Sequence, residues 1–116
     1  MQFICYTRCT TCKRARVWLD EHGLTYASRD IKEDNPTAAE LKTWYEMSGL
    51  PLSRFWNTSG MQYRAHNLKE KRPTMGEAEQ IDFLATDGML VKRPVLVGDD
   101  FVLVGFKEAE WAAKLL

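Results

Sequence analysis

This sequence of 116 residues lacks long apolar runs, and its first residues do not have the pattern of a signal peptide. No uncharged stretch approaches the roughly 20 residues that a membrane-spanning helix needs. The N-terminus is strand-like and has neither the charged region nor the long apolar core of a signal peptide. We therefore expect a soluble, cytoplasmic protein that makes no contact with a membrane.

The sequence also lacks a net charge, since 16 Lys and Arg residues balance 16 Asp and Glu residues. Proteins that bind DNA or RNA directly usually carry a broad positive field that attracts the phosphate backbone. A neutral chain provides no such field, so direct nucleic-acid binding is disfavoured.

Cysteine and histidine are scarce, with three cysteines and two histidines. Cys5, Cys9 and Cys12 are too close together to form the distributed disulfide framework of a small secreted domain. Cys9 and Cys12 have the spacing of half a zinc site, but a structural site usually takes four ligands, and His22 and His66 stand alone. The thiols therefore take part in covalent chemistry, bind a metal or have no special role, and zinc binding is the less favoured alternative.

The residues that are present suit one folded unit. Hydrophobic residues make up 45% of the chain and aromatic residues 11%, which can supply a core without cross-links. A chain of this length corresponds to one ordinary domain. We expect a single domain over residues 1–116 with a single site.

The first third of the chain predicts strand, helix and strand. Residues 1–6 (MQFICY) are apolar and too few for a helix, which indicates a buried strand. Apolar and charged residues then mix at helical spacing from Cys12 to Gly23, a residue typical of a helix C-terminus. Residues 24–31 (LTYASRDI) predict a second strand, which the helical crossover makes parallel to the first.

The middle of the chain predicts several helices. Thr37 and Glu40 have capping-box spacing, and Gly49 is expected to end the helix that they begin. Shorter elements are expected over residues 53–56 (a helical turn), 57–60 (a loop) and 61–68 (a short helix).

A further helix is predicted over residues 75–86. Thr74 and Glu77 repeat the capping-box spacing in front of it, and Gly88 is expected to stop it. These helices together form an insert over about residues 36–90.

The last part of the chain predicts a β-hairpin and a helix. Residues 95–97 and 101–104 are β-branched or apolar, and a Gly-Asp-Asp turn separates them. The terminal helix is expected over residues 106–116, which have apolar positions at Phe106, Ala109, Ala113 and Leu116.

This order of elements, βαβ, helical insert and ββα, is the arrangement of an α/β thioredoxin-like fold. The sequence has Cys-Thr-Thr-Cys over residues 9–12, at the first strand-to-helix junction, where that fold keeps its redox centre. Both the position of the motif and its spacing therefore agree with a redox centre in this fold.

A helix N-terminus favours a thiolate at Cys9, because unpaired N–H groups and partial positive charge converge there. Basic residues nearby in sequence are expected to act in the same direction; these are Arg8, Lys13, Arg14 and Arg16. Two intervening residues let Cys12 come within bonding distance, attack a mixed intermediate on Cys9 and release product as an intramolecular disulfide. The alternative is a pair of incidental thiols in a loop, and Cys5 is expected to be a buried apolar residue of the strand.

Arg93 and Pro94 precede the third predicted strand. In a thioredoxin-like fold the proline at this position is cis and its backbone faces the redox motif, so Pro94 is the cis-proline candidate. Arg93 would then lie near Cys9, where it would lower the pKa of the thiol and offer a planar set of donors to an oxyanion. The alternative is a surface arginine that happens to precede a proline.

Four segments, in order, resemble the ArsC/Spx family of arsenate reductase-like proteins. The likeness extends from Phe3 to the C-terminal helix, and the family's fold is a thioredoxin-like domain with a helical insert. The segments are residues 9–19 (CTTCKRARVWL), 57–60 (NTSG), 92–97 (KRPVLV) and 104–107 (VGFK).

The resemblance implies roles for individual residues. Cys9 matches the cysteine that attacks arsenate in the glutaredoxin-linked arsenate reductases, and Arg93 matches one of the arginines that hold the oxyanion. Arg8 would take the place of the histidine that stabilises the family's thiolate. The other anion-binding candidates are Arg64, or alternatively Arg54, for the second family arginine, and Lys107 for the third.

Two functional hypotheses follow from the resemblance. The leading one is an arsenate reductase-like thiol–disulfide oxidoreductase that uses Cys9 and Cys12, with thioredoxin, glutaredoxin or glutathione as reductant and no organic cofactor or metal. The alternative is an Spx-like redox-sensing transcriptional regulator, whose Cys-x-x-Cys switches binding to the C-terminal domain of the RNA polymerase α subunit. A third possibility is a relative that keeps the fold without the chemistry.

Overall fold

A four-stranded mixed sheet forms the centre of the protein, for which a computed structural model describes residues 1–116. The spatial order of the strands is β2-β1-β3-β4. β1 pairs parallel with β2 and antiparallel with β3, and β3 pairs antiparallel with β4. The strands are β1 (Gln2–Cys5), β2 (Ala27–Asp30), β3 (Val95–Val97) and β4 (Val102–Val104).

Helices cover both faces of this sheet, as expected for a strand such as β1 whose apolar residues are continuous. The helices are α1 (Thr10–Glu21), α2 (Ala38–Ser48), α3 (Met61–Ala65), α4 (Leu68–Lys71), α5 (Glu77–Leu84) and α6 (Glu108–Leu115), with 3-10 turns at Leu52–Phe55, Arg72–Thr74 and Gly88–Leu90. The order confirms the prediction of βαβ, helical insert and ββα. No helix combines the length and the apolar character needed to cross a bilayer.

β1 divides the core into two clusters, because successive side chains of a strand point to opposite faces. Ile4 packs with the helical insert and with Val95 of β3. Phe3 and Cys5 point the other way, into a cluster with α1 and α6. β1 is the most buried strand of the sheet, and it therefore fixes the position of the start of α1, which follows it in the chain.

The second predicted strand is shorter than expected. The N–H of Leu24 bonds to the carbonyl of Leu19 and that of Gly23 to the carbonyl of Asp20, which closes the C-terminus of α1. Gly23 has φ +66°, so it is the left-handed residue that this closure requires. The chain just after Gly23 therefore closes the helix, and pairing with β1 begins only at β2.

The predicted terminal helix is present, but most of the apolar positions that indicated it are not the ones that it buries. Ala109, Ala113 and Leu116 are exposed, and Trp111 is the fully buried residue of α6. The Trp111 indole packs edge-on against Phe106 at 4.9 Å, and its N–H donates to the Gly105 carbonyl at 3.0 Å. One tryptophan with a buried hydrogen-bond partner thus sets the rotation of the helix against the sheet.

The predicted cap of α5 is also wrong. Gly76 is the N-cap residue, and the hydroxyl of Thr74 donates instead to the carbonyl of Lys71 at 2.6 Å. Gly88 does not stop this helix, which ends before Ala85. Gly88 is buried against the residue that follows β2, where an added Cβ would lie 1.7 Å from the carbonyl oxygen of Ile31.

The predicted cap of α2 is confirmed and carries an additional ion pair. Thr37 and Glu40 form the reciprocal capping box, and Gly49 ends the helix with φ +67°. The Arg29 guanidinium of β2 also donates to both carboxylate oxygens of Glu40, at 2.6 and 2.9 Å. This bidentate pair connects the edge of the sheet to the start of the helical insert.

The Glu40 pair predicts a pH-dependent stability. The hydrogen bond from Arg29 outweighs partial burial and, with the Thr37 N–H, lowers the pKa of Glu40 from 4.5 to about 2. Because the folded-state pKa is depressed, this stabilisation is present above about pH 4.5 and is lost as the pH falls toward 2. Glu40→Gln should lower the free energy of unfolding by about 1 kcal/mol at pH 7, since the carboxylate is partly exposed.

Urea unfolding at pH 7 and pH 3 measures this effect, with Glu46→Gln on the exposed side of α2 as a matched control. The difference between Glu40→Gln and the parent protein should shrink at pH 3. A difference that is equal at both pH values would contradict the assignment.

Candidate functional site

The Cys9 thiol caps the N-terminus of α1. Cys9 has extended backbone angles (φ −91°, ψ 118°), and its Sγ accepts a hydrogen bond from the backbone N–H of Cys12 at 3.3 Å. Its own N–H donates to the Tyr6 carbonyl at 3.1 Å, which holds the loop between β1 and α1. The sulfur therefore takes the place of the side-chain oxygen that usually caps a helix.

The environment of Cys9 stabilises its thiolate. Partial burial raises the pKa of the Cys9 thiol, but hydrogen bonds from the thiol and backbone of Cys12, together with the charge of Arg93, outweigh it. The net effect lowers the pKa of Cys9 below its ordinary value of 9.0. Cys9 is half-buried, so its sulfur is partly accessible from solvent.

Cys12 has the opposite character. It is buried, at 3% exposure, and burial together with the hydrogen bond and negative charge of Cys9 raises the pKa of Cys12 to about 12. The two thiols thus differ in acidity, Cys9 favouring the thiolate and Cys12 the protonated form. All three cysteines of the protein are free thiols in this structure.

Arg93 enters the site from the start of β3. The Arg93-Pro94 peptide bond is cis, and the Arg93 guanidinium lies over the ring of Tyr6, 5.1 Å from its centroid. Its Nη1 is buried and has no hydrogen-bond partner, although Arg93 as a whole is only half-buried. A donor of this kind beside a thiolate is available to an anion that approaches Cys9.

Tyr6 is a site residue that the sequence analysis did not identify. It supplies the carbonyl that receives the Cys9 N–H and the ring that supports Arg93. An aromatic residue three positions before the motif carries no signal of its own. Its role depends on a residue from the far end of the chain, which only the fold brings near.

The other predicted anion-binding residues lie in different places. Arg8 is exposed and makes no hydrogen bond or ion pair. Arg64 lies on α3 and lines a separate hollow with its neighbour Tyr63 and with Thr58 of the preceding loop. Lys107 borders another hollow, beside Thr11 of the cysteine motif.

Arg16 acts on a different cysteine from the one expected. It donates to the Sγ of Cys5 at 3.3 Å and to the hydroxyl of Ser28 at 3.0 Å, and it lies over the Phe3 ring at 5.2 Å. Burial raises the pKa of Cys5 despite this contact. Arg16 therefore contacts Cys5, and the arginine that lowers the pKa of Cys9 is Arg93, which precedes β3.

The comparison with known proteins identifies the family. The model of the ArsC family matches residues 5–114. The chain belongs to the ArsC family. Uncharacterized protein YusI of Bacillus subtilis is 50% identical over 111 residues, covering 96% of this chain and 94% of that protein. Global transcriptional regulator Spx of Staphylococcus epidermidis is 26% identical over 102 residues, covering 88% and 76%.

Solved structures of this family have the same fold. An ArsC family related protein from Bacteroides fragilis superposes with a TM-score of 0.95 at 52% identity, covering 97% of this chain and 94% of that one. A "possible arsenate reductase" from Streptococcus mutans gives 0.90 at 40% identity, covering 98% and 97%. The predicted resemblance and the thioredoxin-like α/β fold are thereby confirmed.

A polar cleft of about 450 Å³ adjoins Arg93 in this ArsC-family protein. Asn57, Ser59 and Gly60 contribute the loop that the sequence analysis placed before α3, and Lys32 lines the same cleft. Asn57 is held by its N–H, which donates to the Leu90 carbonyl at 2.8 Å. The cleft therefore offers amide, hydroxyl and cationic groups beside Arg93, together with the carboxylate of Asp87.

The geometry predicts that Arg93, and not Arg8, controls the acidity of Cys9. Arg93→Gln removes the charge beside the sulfur and should move the pKa of Cys9 up toward 9.0. The fraction of Cys9 present as thiolate at pH 7 should therefore fall. Because a more basic thiolate is also more nucleophilic, the rate of thiol–disulfide exchange should fall by less than the thiolate fraction does.

Iodoacetamide labelling of Cys9 across pH, resolved by peptide mass analysis, measures this pKa. Arg8→Gln is the matched control and should leave the curve unchanged, because Arg8 has no contact with the thiol. If Arg8→Gln raised the pKa as much as Arg93→Gln, the assignment to Arg93 would fail.

Proposed function

We propose that this ArsC-family protein is an arsenate reductase-like thiol–disulfide oxidoreductase that uses Cys9 and Cys12 as its redox pair. The observation that carries the proposal is the pairing of a capped, half-buried thiol of lowered pKa with a buried thiol whose pKa is about 12. At neutral pH this division keeps the nucleophile on Cys9 and the proton on Cys12. An attack at Cys12 would have to begin with a costly deprotonation in the core.

The reaction with a disulfide substrate follows from this division. The Cys9 thiolate attacks one sulfur of the substrate, forms a mixed disulfide and expels the other sulfur as a thiolate. Burial is the largest cause of the raised pKa of Cys12, and the negative charge of Cys9 adds to it; once Cys9 is in the mixed disulfide, that added contribution disappears and Cys12 is easier to deprotonate. Cys12 then gives up its proton and attacks Cys9, so that the second substrate thiol leaves and a Cys9–Cys12 disulfide remains.

Arg93 contributes to the first step. Its charge stabilises the attacking thiolate, and its unpartnered Nη1 can donate to an oxygen of an anionic substrate. With arsenate, Cys9 would displace hydroxide from the arsenic atom, and attack of Cys12 on Cys9 would release arsenite. Two thiols then supply the two electrons that reduce arsenic, and an external dithiol or glutathione returns the protein to its reduced state.

The cysteine variants should separate the two roles. Cys9→Ser should abolish turnover, whereas Cys12→Ser should keep the first attack and accumulate the mixed disulfide at Cys9. The measurement is intact-mass analysis after one equivalent of hydroxyethyl disulfide, where only Cys12→Ser retains the adduct. Absence of both the adduct and an intramolecular disulfide would refute the proposed redox pair.

Arsenate is the narrower substrate proposal. Arsenate-dependent consumption of NADPH in the presence of thioredoxin and its reductase, or of glutaredoxin, glutathione and glutathione reductase, would support it, with Cys9→Ser as the control. Turnover no greater than that of Cys9→Ser would remove arsenate as a substrate and leave the reaction with disulfides unaffected.

The second candidate function is a redox-sensing regulator similar to Spx. The pair of cysteines in one helical turn favours it, since oxidation would replace the Cys9 cap by a disulfide and change the surface at the start of α1. A partner that reads this change would be the C-terminal domain of the RNA polymerase α subunit.

A binding measurement distinguishes the regulator from the enzyme. The regulator requires that the oxidised protein bind the purified α subunit more tightly than the reduced protein, and that Cys12→Ser lose the difference. Equal or absent binding in both redox states would exclude the regulator. Turnover with a disulfide substrate would remain as evidence for the enzyme.

A further inference from the structure

Two adjoining hollows run along the exposed side of α1. The first, of about 320 Å³, lies between the first turn of α1 and the loop that follows β4, and it includes Thr11 of the cysteine motif. The second, of about 370 Å³, continues toward the C-terminus of the helix. Arg14 and Phe106 line both hollows, so the two adjoin, and we name them together the α1 groove.

The part of the α1 groove beside the cysteine motif is cationic. Arg14, Arg54, Lys92 and Lys107 line it, and no Asp or Glu does. None of these side chains takes part in a salt bridge or a hydrogen bond within the protein. In a chain of zero net charge, clustering four unpaired cations around one hollow costs repulsion that an anionic ligand would relieve.

The remote part of the groove is apolar. Val17 is 53% exposed, and it lines this part together with Trp18 and Phe106. Two basic residues, Lys13 and Arg14, and two acidic ones, Glu21 and Glu108, border this part. Apolar surface beside charges of both signs suits a polypeptide better than a phosphate backbone, which carries charge of one sign and no apolar side chain.

We propose that the α1 groove docks an acidic polypeptide segment with an apolar side chain, carried by the protein whose disulfide Cys9 attacks. The inference rests on the proposed function and names its substrate class as a protein disulfide. Acidic residues of the segment pair with the cationic part, and the apolar side chain covers Val17. Because the cationic part begins at Thr11, the bound segment brings its own sulfur to the end of α1 that Cys9 caps.

Docking accelerates only the first chemical step. The Cys9 thiolate attacks the cysteine sulfur of the segment, a mixed disulfide forms, and the sulfur's former partner leaves as a thiolate. Attack by Cys12 on Cys9 then frees the segment as a thiol. The segment gains the two electrons that Cys9 and Cys12 lose, so no other reagent is consumed.

A pair of matched peptides tests the docking. Each carries one cysteine as a mixed disulfide with thionitrobenzoate, and release of that coloured thiolate reports attack by Cys9. One peptide has two glutamates and a leucine near the cysteine, and the other has glutamine in place of glutamate. The acidic peptide should react about tenfold faster at low ionic strength, and the ratio should approach one at high salt.

Charge reversal locates the effect. Arg14→Glu combined with Arg54→Glu should remove the preference for the acidic peptide, whereas Lys69→Glu on α4, an exposed lysine outside the groove, should retain it. Val17→Asp should instead reduce the advantage of leucine over serine at the apolar position. The rate of each protein with neutral hydroxyethyl disulfide is measured as the reference for its own Cys9, so that only the ratio between the two peptides reports docking.

The outcomes are distinct. Equal rates for the two peptides, or a preference that survives the double reversal, would overturn the docking proposal. Binding of a labelled single-stranded DNA to the parent protein that the double reversal abolishes, without any peptide preference, would also overturn it in favour of nucleic acid. Failure of the proposed function looks different, because then neither peptide and no hydroxyethyl disulfide would react at Cys9.

Discussion

The hydrogen bond from the Cys12 N–H to the Cys9 sulfur is the interaction on which the site depends. It places the nucleophile at the positive end of α1 and, in the same turn, puts the second thiol into the core. One capping contact therefore separates the two thiols by acidity as well as by exposure. The remaining features of the fold serve mainly to hold that turn in place and to add a charge beside it.

The sheet both holds the first turn of α1 in place and positions the charge beside it. β1, buried on both faces, delivers the chain to the start of α1, and the pairing of Ile4 with Val95 fixes the neighbouring end of β3. Arg93 and Pro94 immediately precede that strand, so the same register that builds the core also sets Arg93 over Tyr6. The charge acting on Cys9 is therefore positioned by long-range strand pairing, and basic residues next to the motif in sequence have less influence than expected.

The sequence predictions succeeded where a signal is local. The order of elements, the capping box of Thr37 and Glu40 and the hairpin at β3 and β4 were all correct, because caps and turns use residues a few positions apart. They failed where packing competes with a local signal. Thr74 has the spacing of a cap but bonds to Lys71, and Gly88 is needed for contact with Ile31 and not for a left-handed turn.

By itself the sequence determined the fold class, the family resemblance and the position of Cys9 and Cys12 at a helix start, since all of these follow from neighbouring residues and their spacing. Only the tertiary structure decided which arginine stands beside Cys9, that Arg16 contacts Cys5, and that unpaired cations from α1, the helical insert and the β4 loop line one hollow. The physical reason is that electrostatic effects depend on distance in space. Residues far apart along the chain acquire that proximity only when the strands pair and the helices pack.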